Sequence, residues 1–488
     1  MLLLIITIPF VFGALSFLIR ATAARRALLI AGAVLHAALV ASAWHTRPAP
    51  ALAGWLALDD AGLLFLSITS LLFAAAALYA IAFLKREHHD KARRDFDDEE
   101  LFTNAPEAVL IGCLFLFLGT MSIVCASQHL GLLWVAVEAT TLASAPLIYF
   151  HRHARSLEAA WKYLLICSIG IALALLGNFL LAVATMNTGG HEMPLLVNSL
   201  VANARAFSQP WLKAAFIFLL VGYGTKMGLA PLHTWLPDAH SESPSMVSAL
   251  LSGALLNCAF LGILRARQIC VAAGLEEFTG GLLVGLGLLS MAFAAVFILA
   301  QADYKRLLAY SSVEHMGILA VGVGVGGIGT FGALFHAINH SLTKAMLFLV
   351  AGNILALYQT KSVKSVRGLS RRLPVSAGLW LAGFFAITGS PPFGTFFSEM
   401  TILRGALAHG SLAVGIVYLA LLAMIFVAMA TVILRMTQGD ADGATVSEPW
   451  LAIVPPAALC ALTLVLGFYL PPALADVLHG AARIVGGM

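Results

Sequence analysis

Charge is what this sequence lacks. Of its 488 residues only 11% are Asp, Glu, Lys or Arg and 60% are hydrophobic, with a mean hydropathy of +0.94; an ordinary soluble domain carries about 25% charged residues. That scarcity excludes a soluble enzyme. Cysteine is scarce too: the six (Cys113, Cys125, Cys167, Cys258, Cys270, Cys460) lie in or beside apolar segments without a CxxC or other metal-ligand spacing, and read as small buried apolar residues. No segment alternates polar and apolar over about ten residues, which excludes a transmembrane barrel. The net charge of +4 gives nucleic acid no basis as a partner. MLLLIITIPF has neither a basic n-region nor a small-residue cleavage site after it, so the first helix is expected to be retained.

What the sequence has is apolar runs long enough to cross a bilayer, from one end to the other. Charge clusters and turn residues divide it into about fourteen spans, the first at 2–19 and the last at 450–470. The fold class is an all-α polytopic membrane protein. The longest connections, 85–106 (containing KREHHDKARRDFDDEE) and 186–211, leave no extramembrane domain for a nucleotide, flavin or iron–sulfur cluster. Alternate connections divide Lys and Arg unevenly, eighteen on the side holding Lys85, Arg86, Lys305 and Arg306 against seven on the side holding Arg47 and Arg265. The first side is therefore expected to face the cytoplasm and both termini to lie outside.

The remaining three lysines, Lys162, Lys226 and Lys344, fall within predicted spans, as do Glu138 and Glu399. Each would cost at least ~2.5 kcal/mol at the bilayer centre unless hydrated or paired, so the set points to a polar pathway. Lys226 is followed by Pro231 in GYGTKMGLAPLHTWLP, and Glu399 follows Pro391 and Pro392 in TGSPPFGTFFSEM. Two proline-interrupted helices, each beside a buried charge, suggest an internal duplication and ion-handling sites. In FHAINHSLTKAMLF, His336, His340 and Lys344 recur every fourth residue, a ladder roughly 12 Å long on one helix face that can pass protons. Glu314 and His315, in AYSSVEHMG, add a further link.

Several neighbours read as structural. His233 and Asp238 are expected to cap backbone groups freed at the first break; His88, His89, His151 and His153 to be solvated; Asp303, Lys305 and Arg306 to anchor a helix end. Ala337 follows His336, so HExxH is absent and no metal site is expected. Gly324, Gly326 and Gly329 satisfy GxGxxG but without a preceding strand, and Gly281 and Gly285 form a GxxxG expected to pack helices closely.

GYGTKMGLAPLHTWLPDAHSESPSMVSALLSG, QADYKRLLAYSSVEHMG and FHAINHSLTKAMLFLVAGNI resemble signature segments of the proton-conducting antiporter-like subunits shared by respiratory complex I, Mrp-type cation/proton antiporters and membrane-bound group 4 hydrogenases. The resemblance spans about residues 60–435 and is strongest to the hydrogenase-4 branch, on SPSMVSALLSGALLNCAFLGILR and TGSPPFGTFFSEM. It implies a fourteen-helix core whose spans 4–8 and 9–13 are inverted repeats, each with a half-channel and a broken helix, the seventh and the twelfth. The corresponding segments are 1–105 with three helices and the charged loop, 106–270, 271–436, and 437–488 with the last helix. It also implies that Glu138, Lys162, Lys226, Lys344 and Glu399 are the family's ionisable residues of helices 5, 6, 7, 11 and 12. Asn257 departs from the pattern, standing where many complex I members have a helix 8 lysine, so the link between half-channels is expected to rest on water, Glu314, His315 and the ladder. The long lateral arm of the largest complex I member is not expected.

The implied function is proton translocation in the bacterial or archaeal cytoplasmic membrane, within an energy-converting hydrogenase complex. No cofactor is expected in this chain, the nickel–iron centre and iron–sulfur clusters belonging to partner subunits. Other antiporter-like subunits, a soluble hydrogenase arm and lipids are the implied partners. Alternatives are a subunit of an Mrp-type Na⁺/H⁺ antiporter or of a complex I-like quinone oxidoreductase, and a non-pumping membrane anchor.

Overall fold

The structure, a computed structural model, describes residues 1–87, 93–94, 101–186, 193–408, 410–439 and 443–486. His88, His89 and most of the charged run after Glu87 lie outside them. The chain folds into helices α1 (Leu2–Leu18), α2 (Thr22–His45), α3 (Asp60–Arg86), α4 (Glu107–Ala126), α5 (Leu130–Ile148), α6 (Ala154–Thr185), α7 (Val197–Asn203), α8 (Gln209–Met227), α9 (Trp235–Glu242), α10 (Ser245–Leu250) and α11 (Leu256–Ala272). It continues with α12 (Glu276–Leu299), α13 (Tyr304–Val325), α14 (Ile328–Tyr358), α15 (Leu369–Arg372), α16 (Pro374–Ile387), α17 (Gly394–Ala408), α18 (Leu412–Thr437), α19 (Trp450–Phe468) and α20 (Pro472–Ile484). Among the described residues, 11 helices are long and apolar enough to cross a membrane. With the shorter α1 and the interrupted pairs α8/α9 and α16/α17 they match the spans expected from sequence. The amphipathic α20 and the short α7 and α15 were not expected.

Polar residues start the helices by taking up backbone N–H groups that have no partner in the first turn. Asp59 accepts from the Gly62 amide at 2.9 Å, and Asp303 from the amides of Lys305 and Arg306 at 2.7 and 3.1 Å. His153, expected to be solvated, is buried and caps α6, accepting from the Ser156 amide at 3.2 Å. His151 bonds Asn104 at 2.7 Å. Both are pinned by backbone or amide groups, which no charge pattern in the sequence announces.

Close helix packing falls at other glycines than the GxxxG pair. A Cβ on Gly281 or Gly285 would meet nothing within 4 Å, whereas one on Gly280 or Gly287 would lie 2.6 Å from the carbonyl oxygen of Gly324 or Gly317. The α12/α13 seam therefore runs one helical phase away from the motif. Gly326 and Gly327 of the GxGxxG stretch simply form the turn between α13 and α14, with φ of +73° and +50°.

Three features set the site. α8 ends at Gly228 in the left-handed region (φ +89°), and the chain passes through a cis Ala230–Pro231 bond before α9. α16 and α17 are separated in the same way by Gly389 (φ +60°) and a cis Pro391–Pro392 bond. Between them the helix Ser245–Ala272, buried through all but its last turn, contains a π-helical turn, Leu251–Leu255, just before Asn257. The 31-residue α14 runs through the centre, packed against α13, α16, α17 and α19.

Candidate functional site

At the first break Lys226 is fully buried and donates to the hydroxyls of Thr141, at 2.6 Å, and Tyr163, at 2.7 Å. Its Nζ also lies 4.5 Å from the centre of the Tyr163 ring. Ser144 donates to the Thr140 carbonyl at 2.7 Å, so its oxygen accepts the Tyr163 O–H, also at 2.7 Å. Thr141 in turn donates to Glu138 Oε2 at 3.4 Å, and Ser168 donates to Glu138 Oε1 at 2.6 Å. Among the described ion pairs none joins Glu138 to Lys226 directly; a threonine hydroxyl stands between them. Glu138 itself is only half-buried, at the side of the bundle.

The break is closed by groups other than those expected. Trp235 Nε1 donates to the Thr225 carbonyl at 2.9 Å, and the Ala230 amide donates to Ser290 at 2.9 Å. Among the described residues His233 Nδ1 makes no hydrogen bond, and the ring lies among Phe293, Phe297 and Tyr310. Asp238 receives Arg306 and, at 3.0 Å, Lys162. Lys162 is thus no member of the buried row: its side chain is 45% exposed and also pairs with Glu158 at 2.6 Å. A lysine about two turns into α6 reaches the two carboxylates of Glu158 and Asp238, which removes the cost of burial.

The middle of the molecule carries a neutral link. Asn257 donates to the Gly253 carbonyl inside the π-helical turn and to the Ser341 hydroxyl of α14, both at 2.8 Å. Ser252 and Ser312 join α13 to the same turn at 2.8 Å.

The second centre is denser. Lys344, Glu314, His315, His336, His340 and Glu399 are all buried. Lys344 donates to the Leu308 carbonyl of α13 at 2.7 Å rather than to a histidine. His315 and His336 are joined at 2.8 Å with stacked rings, and His336 reaches Ser398 of α17 at 2.9 Å. His340 lies 5.1 Å from His315, ring to ring. Its ring nitrogens, Glu314 Oε2, His315 Nε2, Glu399 Oε1 and Asn257 Oδ1 complete no hydrogen bond among the described residues. So many unpaired buried polar atoms on one set of facing helices mark a place that demands water or a ligand. The predicted ladder is present on one face, but it is linked sideways through His315 and not rung to rung.

Sequence reasoning missed Thr141, Tyr163, Ser144, Ser168, Ser341 and Ser398. Thr141 lies three residues after Glu138, the spacing that shares a helix face, and could have been found by it.

The chain belongs to the NADH:quinone oxidoreductase/Mrp antiporter transmembrane family, whose pattern matches residues 127–426. It is an antiporter-like membrane subunit by fold and by family. It is 34% identical over 420 residues, 85% of each chain, to a hydrogenase-4 component F homolog of Methylacidiphilum infernorum. A chain of respiratory complex I from Thermus thermophilus superposes with a TM-score of 0.81 at 25% identity over the whole of both chains. A chain of an archaeal membrane-bound sulfane sulfur reductase does so with 0.85 at 21% identity, covering 99% of this chain and 97% of that one, and shares the fold.

Proposed function

We propose that this chain is the proton-translocating membrane subunit of a hydrogenase-4-like energy-converting complex, a component F. Its pathway runs from Glu138, Thr141 and Lys226 past Asn257 and Ser341 to Lys344, Glu314, His315, His336, His340 and Glu399. The observation that carries the reading is the fully buried Lys226, held among the described residues by two hydroxyl oxygens and the face of the Tyr163 ring. An ammonium there keeps its proton while Thr141 and Tyr163 accept from it; when they turn away, the charge is left in a medium that does not solvate it. A charge change beside Glu138, made by a neighbouring subunit, can move Thr141 through the bond they share, a coupling of about 1–3 kcal/mol. Redox chemistry belongs to partner subunits carrying a nickel–iron centre and iron–sulfur clusters. The termini lie outside, and the end holding Lys305 and Arg306 faces the cytoplasm of a bacterial or archaeal cell. The component F assignment rests on the 34% identity shared along most of both chains.

The test is proton uptake by vesicles holding the assembled complex. Lys226→Ala and Glu138→Gln should abolish pumping while hydrogen turnover persists; undiminished pumping overturns the reading. Flux that needs Na⁺ without hydrogen turnover identifies an antiporter subunit instead. Normal flux in both variants, with assembly lost only on truncation, identifies an anchor.

A further inference from the structure

Three donors of the second centre converge on one point. One ring nitrogen of His315, one of His336 and a carboxylate oxygen of Glu399 lie within 4.8 Å of one another, and all three residues are buried. The hydrogen bonds around them fix where their lone pairs are. Ser398 donates to the Thr395 carbonyl at 2.8 Å, so its oxygen accepts from His336 Nδ1–H at 2.9 Å. His336 Nε2 is therefore the bare nitrogen, and it accepts His315 Nδ1–H at 2.8 Å. The Ile387 carbonyl lies beside the His315 ring, yet among the described residues neither His315 Nε2 nor Glu399 Oε1 completes a hydrogen bond.

We propose that His315, His336 and Glu399 form a binding site for a divalent transition-metal ion, zinc above all, and that the filled site blocks proton passage. Two imidazoles and one carboxylate suit zinc, and disfavour Mg²⁺, Ca²⁺ and Na⁺, which take oxygen ligands. The ion replaces the proton shared by the two rings. The His315 proton shifts from Nδ1 to Nε2, so both imidazoles stay neutral, and a Glu399 that carries a proton releases it to water. The nitrogen separation must open from 2.8 Å to about 3.3 Å to give Zn–N bonds of about 2.0–2.1 Å. Glu399 closes the third side by rotating about its terminal torsion, which is soft. Ser398 already holds His336 in the ligating tautomer, the role of a second-sphere hydroxyl in metal sites. A water completes the tetrahedron. Sequence spacing could not disclose the site, because its donors come from α13, α14 and α17.

The inference rests on the pathway reading for one thing, the hydrated route by which an ion reaches the centre. Metal binding and proton flux are therefore measured separately. The full-length chain in lipid nanodiscs is titrated with Zn²⁺, and X-ray absorption at the zinc edge reads the ligands. One ion per chain with two imidazole nitrogens is expected, and His336→Gln and Glu399→Gln should each weaken binding by tenfold or more. Ser398→Ala, which keeps all three ligands, should weaken it by roughly tenfold and raise by the same factor the Zn²⁺ concentration that halts proton uptake in vesicles of the complex. Size-exclusion profiles establish that the variants fold, and Ser398→Ala carries the test if the ligand variants do not. Zinc uptake that is the same in wild type and variants, or a spectrum without imidazole, overturns the site. Binding as expected with flux unaffected by Lys226→Ala would leave the site standing and overturn the pathway.

Discussion

The Lys226 ammonium and the Glu138 carboxylate are joined through a third side chain: Thr141 accepts from Lys226 at 2.6 Å and donates to Glu138 at 3.4 Å. A hydroxyl that accepts on one side and donates on the other couples the two charges without letting them neutralise each other.

Thr141→Val keeps the shape and removes the hydroxyl. Proton uptake in vesicles should fall by roughly 10- to 100-fold, the worth of a hydrogen bond to a charged group at about 1.5–3 kcal/mol. Thr141→Ser should retain most of it. Equal rates in Val and Ser variants would leave the bridge without a role.

Asn257 offers the second test. Replacing it by Leu severs the bond to Ser341 and frees the Gly253 carbonyl. Pumping should drop by about an order of magnitude, corresponding to about 1.5 kcal/mol, with the complex still assembled on native gels. Unchanged pumping would show that protons do not pass this link.

Stability should fall in acid through Asp59. Burial alone would raise its carboxyl, but the Arg265 guanidinium and the Gly62 amide outweigh burial and hold it below the usual carboxylate range. A carboxyl lowered on folding stabilises the protein above its unfolded value of about 4 and loses that contribution as pH falls through the folded value. Asp59→Asn should therefore cost roughly 1–3 kcal/mol at pH 7, since it leaves a buried Arg265 unpaired while Asp59 is itself partly solvated, and the deficit should shrink toward pH 3. Thermal melting of the detergent-solubilised chain at several pH values reads this directly.

The α12/α13 seam gives the control for packing. Gly287→Leu drives a side chain into the Gly317 backbone and should cost about 1–3 kcal/mol. Gly281→Leu faces open space and should leave the melting temperature unchanged. A reversed order would restore the GxxxG reading.

Much of the site was legible because a charge inside an apolar run needs an explanation. Lys226, Lys344, Glu314 and Glu399 stand out in this way, and all four are buried. Lys162 has the same local signature, and Glu158 four residues before it was the neighbour that could have marked it as paired; its second partner, Asp238, is 76 residues away in sequence. Hydroxyls were harder still. Thr225 and Thr343 bond their own helix at Val221 and Asn339, as membrane serines and threonines commonly do. What separates Thr141, which bonds across helices, is the carboxylate of Glu138 three residues earlier. The breaks were visible as Pro231, Pro391 and Pro392; that Trp235 closes the first was not, since a tryptophan in an apolar segment reads as bulk.

The half-buried Glu138 bears on how such a chain survives before it finds its neighbours. Flanked one turn on either side by Val135 and Leu142, both largely exposed, it keeps a partly exposed carboxylate near the face of α5 that adjoins the rest of the complex. A solitary chain would offer that group to acyl tails, at a cost a polar neighbour relieves. Cellular abundance should then track co-expression with the adjoining subunit, and orphaned copies should be cleared by membrane proteases.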